Sequence, residues 1–167
     1  YETPWLSEFV VANLLAPAGA GTLAQSISQQ EYSRLFERDR LGFISQTEYS
    51  TRGDWFQNAV QYGSFGDSSY AAGALYHTAN GDHPNGDIEQ GVLTLRWKQQ
   101  LTPGDSLFFQ AQGYDAESED VVPRYNPNQF NPGLSAEERH EPTVLPGLHH
   151  EWAPGQHTLF LAGFLKQ

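Results

Sequence analysis

Several residue types are missing or scarce in this 167-residue chain, which has no cysteine, no methionine and only nine Lys and Arg against twenty Asp and Glu. Without cysteine, no disulfide framework, thiolate nucleophile or cysteine-ligated zinc site can form. No apolar run approaches the roughly 18 residues of a transmembrane helix, so contact with a membrane would involve strands or the surface. The net charge of −11 argues against a nucleic-acid partner, whose phosphates need cationic side chains.

The chain is rich in aromatic residues, at 13%, while its hydrophobic share of 38% is below that of most globular domains. Its length corresponds to about one domain. The sequence starts at Tyr1 and closes on an apolar run with no turn after it. We therefore expect it to be a piece of a longer protein.

Residues 1–40 differ in pattern from residues 41–167, and we treat the two ranges as separate units. Pro4 is followed by apolar residues at helical spacing up to Leu15, which predicts a first helix. Ser28 and Glu31 form a capping-box pattern, which predicts a second short helix over Gln29–Arg38. An irregular, partly helical segment is the alternative.

From Leu41 onward, apolar and polar residues alternate with a period of two, and strand-forming residues dominate. Turn-forming residues separate seven predicted strands: Gly42–Ser50, Trp55–Tyr62, Ser69–Thr78, Ile88–Gln100, Ser106–Glu117, Thr143–Trp152 and His157–Lys166. A strand that crosses a bilayer needs about 9–11 residues, and most of these are long enough. The sequence predicts a mainly β, antiparallel up-and-down meander.

The strand Ile88–Gln100 has the clearest pattern. Leu93, Leu95 and Trp97 point to one side, and a polar row that includes charged residues points to the other. A water-soluble barrel turns its apolar row inward, whereas a membrane barrel turns it outward. Under the second arrangement the candidates for lumen-facing residues are Arg96, Lys98, Gln110 and Gln112.

Two short segments, Leu101–Ser106 and Trp152–Thr158, each contain Pro followed by Gly between two predicted strands. Pro then Gly suits the central positions of a type II turn. Between them lies a polar insertion, Ser118–Pro142, that is too long for an ordinary hairpin loop. In an outer-membrane barrel the short turns are periplasmic and the long loops extracellular. This orientation puts residues 1–40 on the periplasmic side.

The same orientation assigns the aromatic side chains to the two membrane interfaces, where amphipathic rings are enriched. Those predicted near the outer interface are Trp55, Tyr76 and Tyr114, and those near the inner interface are Tyr62, Tyr70, Trp97 and Trp152.

Several segments of the chain resemble the sequences of a bacterial outer-membrane β-barrel family. They are Gln30–Phe36, Gln61–Gly66, Ser69–Ala71, and His149–Gly155 followed by His157–Leu159. The resemblance implies a porin-like or receptor-like barrel, of a kind often fused to periplasmic tetratricopeptide repeats, with this chain as its N-terminal part. It implies an outer-membrane location but no substrate or site residues. No repeat module is present, and seven strands are fewer than the even number, at least eight, of closed single-chain barrels.

Histidine and glutamate residues cluster around the second Pro-Gly turn: His140, Glu141, His149, His150, Glu151 and His157. Adjacent residues of a strand point to opposite faces, so His149 and His150 cannot join the same site. His149, Glu151 and His157 could share a face across the hairpin, and imidazole and carboxylate are zinc ligands. A polar cluster at the lumen or the periplasmic rim is the favoured interpretation, and we predict no metal and no cofactor.

The other motifs indicate turns and loops rather than metal-binding or catalytic sites. The acidic run Asp115–Asp120 has calcium-type ligands without the Gly and Asn spacing of a calcium loop. The repeats Asn80–Asp82 and Asn85–Asp87 and the tripeptide Arg52–Asp54 are turn-forming sequences first. The sequence has no nucleophile elbow, Walker loop or dinucleotide fingerprint, so we predict that the chain is not an enzyme.

Three functional hypotheses follow. The first is an outer-membrane barrel segment that acts as channel, receptor or anchor and whose partner is the lipid bilayer. The second is a soluble, secreted β-sandwich whose long loop binds a saccharide or a protein. The third is a structural subunit of a membrane assembly, in which other chains close the barrel through unpaired strand edges.

Overall fold

The computed structural model of the chain describes residues 8–15, 40–81, 83–122, 126 and 128–164. Seven strands form one antiparallel sheet in chain order: β1 (Arg40–Tyr49), β2 (Trp55–Phe65), β3 (Ser68–Ala79), β4 (Ile88–Thr102), β5 (Asp105–Ser118), β6 (Ala136–Ala153) and β7 (Gln156–Leu161). One helix, α1 (Glu8–Leu15), contacts β5 and β6. The prediction of a mainly β, antiparallel meander is confirmed.

The predicted strands differ from the observed ones mainly in β6, which begins at Ala136 rather than at Thr143. The ladder between β5 and β6 shifts register between Gln112 and Tyr114 and then continues to Ser118, opposite Ala136. This irregularity accommodates Pro142, which has no N–H to donate to a regular ladder. The loop before β6 therefore spans residues 119–135 instead of 118–142.

The two ends of the chain are described in part. The described part of the first predicted helix is α1, whereas the second predicted helix, Gln29–Arg38, lies outside the described residues. The last predicted strand extends to Lys166, but β7 ends at Leu161. Beyond β7, Phe164 exchanges two backbone hydrogen bonds with Val144, at 3.0 and 3.2 Å.

The two Pro-Gly turns differ from each other. Gly155 has a φ of 80°, as the third residue of a type II turn requires. Gly104 is not in the left-handed region, so the type II prediction is wrong for the first turn. There the strand register shifts between Gln100 and Thr102, and the Gly104 carbonyl accepts a hydrogen bond from the N–H of Glu151 at 2.7 Å. This neighbouring strand fixes the turn in a different conformation.

The sheet has two unlike faces. We call the face that carries α1 the inner face and the opposite one the outer face. On the inner face, Phe108 and Leu145 form a buried cluster with Val10 and Leu14 of α1, and Leu161 packs against it. Full burial of such side chains contributes about 1.5–3 kcal/mol each, so this small cluster fixes α1 on the sheet.

Within the described residues, β1 pairs only with β2 and β7 only with β6, so the sheet is open between its first and last strands. No helix in the described ranges is both long enough and apolar enough to cross a membrane.

Gly147 of β6 provides a test of the contact between α1 and the sheet. A Cβ at this position would lie 2.5 Å from Leu14 Cδ2. Gly147→Ala should therefore displace Leu14 and lower the free energy of unfolding by about 1–3 kcal/mol, measured by urea titration. Gly113→Ala is the control, because a Cβ there would meet no atom within 4 Å. Equal losses in the two variants would contradict the described packing.

Candidate functional site on the inner face

The inner face concentrates polar side chains that are shielded from solvent. Its buried polar residues are Ser69, Lys98, Ser106, Gln110, Thr143 and His149. Lys98 is fully buried and Gln110 is 5% exposed. A water-soluble sheet places apolar residues on its covered face. Here the covered face is mixed, because the apolar Val60, Ala71, Phe108, Ala116 and Leu145 are buried on it beside the polar residues.

The four residues predicted to line an interior share this face. Arg96 lies opposite Gln110 in the ladder between β4 and β5, and its Nε donates to Gln110 Oε1 at 3.2 Å. Gln112 lies opposite Thr94, two positions along β4 from Arg96. Because residues two apart on a strand point the same way, Gln112 shares the face of Arg96 and Lys98.

Lys98 links the sheet to the end of α1. Its Nζ donates to the carbonyl oxygens of Asn13 at 2.5 Å and Leu14 at 2.9 Å. The last four carbonyls of a helix have no partner within the helix and carry the negative end of its dipole. The buried ammonium group of Lys98 donates to two of these carbonyls and lies at the negative end of the helix dipole. The helix end in turn compensates the positive charge of Lys98.

The alternation of the strand placed Lys98 on the face opposite Leu93 and Trp97, as the structure has it, but sequence reasoning missed its contact with the helix. The spacing of Leu14 and Leu15 marks the end of the first helix but gives no sign of its cationic partner. That partner lies 84 and 85 positions away along the chain.

The outer face is apolar and exposed. Along β4, Leu93 is 67% exposed, Leu95 42% and Trp97 37%. The exposed apolar residues of this face are Leu41, Phe43, Tyr49, Trp55, Phe65, Tyr76, Leu93, Leu95, Trp97, Leu148, Trp152 and Phe160. Between them, small residues such as Ala59, Ala74 and Gly113 form the floor of two shallow grooves.

Aromatic side chains lie near both ends of the outer face. At the end of the long loops, Tyr49 packs edge-on against Trp55 with ring centroids 6.2 Å apart. At the end of the short turns, Trp97 Nε1 donates to Ser68 Oγ at 3.0 Å and Trp152 Nε1 to Thr158 Oγ1 at 2.9 Å. Their ring N–H groups are thus satisfied while the rings remain on the apolar face.

Two of the tyrosines that were expected at membrane interfaces do not lie on the outer face. Tyr62 lies opposite Gly42 and Ala71, and Tyr114 opposite Val92, so both belong to the inner face. Gly42 has no side chain, and the Tyr62 ring occupies the space where its Cβ would lie. The alternation of side chains along β2 and β5 therefore places these two rings on the inner face.

A polar patch interrupts the outer face on β1 and β2. Thr47 Oγ1 donates to Gln57 Oε1 at 2.5 Å, and Gln57 Nε2 donates to Ser45 Oγ at 2.8 Å. Nearby, Gln61 Nε2 donates to Tyr70 Oη at 2.7 Å. These groups satisfy one another's hydrogen bonds across neighbouring strands.

The predicted zinc candidates come together only in part. His149 Nε2 lies 2.9 Å from His157 Nδ1, so each ring directs a nitrogen at the other rather than at a common centre. Glu151 lies opposite His157 in the ladder. Within the described residues, no group of three His, Cys, Asp or Glu has the arrangement of a metal site. His150 lies on the other face, where its Nδ1 contacts Asp105 Oδ1 at 2.5 Å.

The long loops dock onto each other. His83 is buried, stacks on Phe130 with ring centroids 5.9 Å apart, and directs Nε2 at the Val122 carbonyl at 3.3 Å. Asn85 Nδ2 donates to the carbonyls of Asn131 and Leu134 at 2.8 and 3.1 Å. The loops after β3 and β5 therefore form one structured cap, a feature that turn propensities alone do not reveal.

Arg52–Asp54 is part of a structural turn. Asp54 accepts hydrogen bonds from Ser50 Oγ at 2.7 Å and from the N–H of Asn80 at 3.0 Å, and Arg52 Nη2 lies 3.5 Å from its carboxylate. The hydrogen bond from Ser50, followed by that from Asn80, holds the pKa of Asp54 below its usual range. The tripeptide thus fixes the turn between β1 and β2 to the end of β3.

Asp54 gives this turn a defined pH dependence. Because its pKa is lower in the folded protein than in the unfolded chain, its stabilising effect is present at neutral pH and is lost as the pH falls below about 4. We expect Asp54→Asn to flatten the acid side of the stability curve, measured by urea unfolding at a series of pH values. An acid slope identical to that of the unmodified chain would contradict this role.

Asn85 tests the docking of the loops. Its φ of 58° suits Asn or Gly, and its side chain makes both cross-loop hydrogen bonds. Asn85→Ala combines backbone strain with the loss of those bonds, and we expect a cost of about 1–3 kcal/mol and faster proteolysis within residues 119–135. Asn128→Ala, at an exposed position of the same loop, is the control. Equal cleavage rates would contradict a docked cap.

Comparison with known proteins finds no matching family model, no matching curated protein and no matching solved structure for this chain.

Proposed function

We propose that this chain is part of a β-barrel of the bacterial outer membrane, in which it acts as a channel, receptor or anchor. The observation that carries the proposal is the inversion of the two faces along β4, where Leu93 is 67% exposed while Lys98 is fully buried. Water does not favour such an arrangement, because it leaves apolar area solvated and buries charge. A bilayer outside and a polar interior favour both.

The dimensions of the outer face support the proposal. From Gly91 to Leu101 of β4 the chain advances ten residues, or about 33 Å along the strand. At the tilt of about 40° typical of membrane barrels, this corresponds to a height of about 25 Å, which is that of the apolar band of known barrels. The band ends at charged groups near the long loops, where Arg139 Nη2 contacts Asp115 Oδ2 at 3.0 Å and Tyr76 Oη donates to Glu89 Oε1 at 3.0 Å.

The two ends of the sheet support an orientation. Short turns join β4 to β5 and β6 to β7, whereas the opposite end carries the docked loops. In outer-membrane barrels the short turns face the periplasm. α1 lies close to this end, because Lys98 is four positions before the end of β4. The N-terminal segment is then periplasmic.

The open edges of β1 and β7 favour a variant of this proposal, in which strands from elsewhere in the protein or from other chains complete the barrel. An unpaired strand edge exposes a row of backbone donors and acceptors that no bilayer tolerates. A soluble β-sandwich is disfavoured, because its apolar faces would be turned inward.

A pair of lysine substitutions on opposite faces tests the bilayer contact. Leu93→Lys on the outer face should destabilise the liposome-inserted protein by about 2–4 kcal/mol, measured by denaturant titration in phosphatidylcholine vesicles. Gln112→Lys, on the inner face, is the matched control and should cost much less. If Leu93→Lys is neutral, and the protein is monodisperse without detergent, the bilayer proposal fails and the soluble module is favoured.

A further inference from the structure

The same tripeptide, Asn-Gly-Asp, occurs twice in the loop between β3 and β4, at Asn80–Asp82 and at Asn85–Asp87. No other asparagine of the sequence precedes a glycine. A glycine has no Cβ, so its backbone nitrogen can approach the side-chain amide of the asparagine before it. Because the two tripeptides are identical, a difference in reactivity between their asparagines comes mainly from the fold.

Asn85 is held firmly in the docked loops. Its Nδ2 donates to the carbonyl oxygens of Asn131 and Leu134 at 2.8 and 3.1 Å, and the following Gly86 is buried. Gly86 also lies against the ring of His83, since a Cβ built on it would lie 3.1 Å from His83 Cε1. The amide of Asn85 therefore cannot turn towards the Gly86 nitrogen until both cross-loop hydrogen bonds are broken.

Asn80 has a looser environment. It is exposed, and its Nδ2 donates one hydrogen bond, to the Arg52 carbonyl oxygen at 2.8 Å. Its backbone N–H donates to Asp54 Oδ1 at 3.0 Å, a bond that rotation of the side chain does not break. Within the described residues, a single hydrogen bond has to break before the amide of Asn80 can turn towards the backbone nitrogen of Gly81.

We propose that Asn80 is a site of deamidation in the folded protein, and that docking of the long loops protects Asn85 from the same reaction. The proposal does not rest on the proposed function, because it concerns contacts among the loops and turns at one end of the sheet. It assigns different chemistry to two copies of one tripeptide, and the difference follows from their hydrogen bonds.

The reaction needs water but no enzyme. The backbone nitrogen of Gly81 loses its proton to hydroxide and attacks Cγ of Asn80. The N–Cγ bond forms, the Cγ–Nδ2 bond breaks, and ammonia leaves with a proton from the solvent. The resulting succinimide takes up one water molecule, which opens the ring at either carbonyl carbon and gives aspartate or isoaspartate. In total, one water molecule is consumed and one ammonia molecule is released.

Deamidation would remove the contact that Asn80 makes with the turn between β1 and β2. An ionised carboxylate cannot donate a hydrogen bond, so it would face the Arg52 carbonyl oxygen without a proton between them. It would also add a negative charge close to Asp54, whose carboxylate accepts the backbone N–H of Asn80. The turn would therefore loosen slowly and irreversibly as the protein ages.

Uptake of heavy oxygen from labelled water measures the reaction at each asparagine. The folded chain is incubated at mildly alkaline pH beside a sample unfolded in urea, and proteolytic fragments of both are analysed by mass spectrometry. In the folded chain, Asn80 should take up label about fivefold or more faster than Asn85, because one additional hydrogen bond contributes about this factor to an equilibrium. In urea the two rates should be nearly equal. Asn131 is an internal control, since Pro132 follows it and has no N–H.

Two variants of the long loop test the protection of Asn85. Phe130→Ala removes the ring that stacks on His83, so it should undock the loops and raise the rate at Asn85 towards that at Asn80. Asn128→Ala, at an exposed position of the same loop, is the matched control and should leave both rates unchanged. Both variants keep the two tripeptides intact, so a changed ratio of rates reports the docking of the loops.

The labelling rates distinguish selective from uniform reaction. Equal rates at Asn80 and Asn85 in the folded chain, or an unlabelled Asn80 in the folded chain while the urea sample reacts, would overturn the proposal. Asn80→Asp copies one product and should lower the urea concentration at the midpoint of unfolding. Asn128→Asp adds the same charge at an exposed position and should leave the midpoint nearly unchanged. Equal midpoints for these two variants would contradict the loosening of the turn.

Discussion

A β-strand presents successive side chains to opposite faces, and the structure depends on how β4 uses this constraint. Trp97 and Lys98 are neighbours in sequence, yet one is exposed and the other fully buried. Among the described residues, six antiparallel pairings carry this alternation across seven strands, with register shifts in the last three pairings. One face is largely apolar and exposed, and the other is shielded and contains buried polar groups.

The shielded face is not uniformly polar. Beneath α1 it contains a small apolar cluster, and beside that cluster Lys98 contacts the carbonyl groups of Asn13 and Leu14. A buried cation is costly unless its donors are satisfied, and the unpaired carbonyls at the end of a helix are costly for the same reason. The ammonium group and the carbonyls therefore satisfy one another's hydrogen bonds. Together with the apolar cluster, these hydrogen bonds hold α1 on the sheet.

The sequence predicted the strands and their antiparallel order because period-two alternation is a local signal, but it placed Tyr62 and Tyr114 on the other face. It predicted β6 too short, since Pro142 normally ends a strand and the compensating register shift depends on pairing with β5. The contact of Lys98 with α1 and the docking of Asn85 onto Asn131 could not be predicted. Both join segments far apart in the chain, and no local pattern encodes such a partner.

The central claim is that the outer face contacts lipid. Trp97 lies on that face near the end that carries the short turns, which makes it a suitable probe. The direct measurement is the fluorescence of a variant in which Trp97 is the sole tryptophan, in vesicles of lipids brominated along the acyl chain. We predict strong quenching by the brominated lipid and weak quenching by aqueous iodide. Strong quenching by iodide with none by brominated lipid would contradict the account.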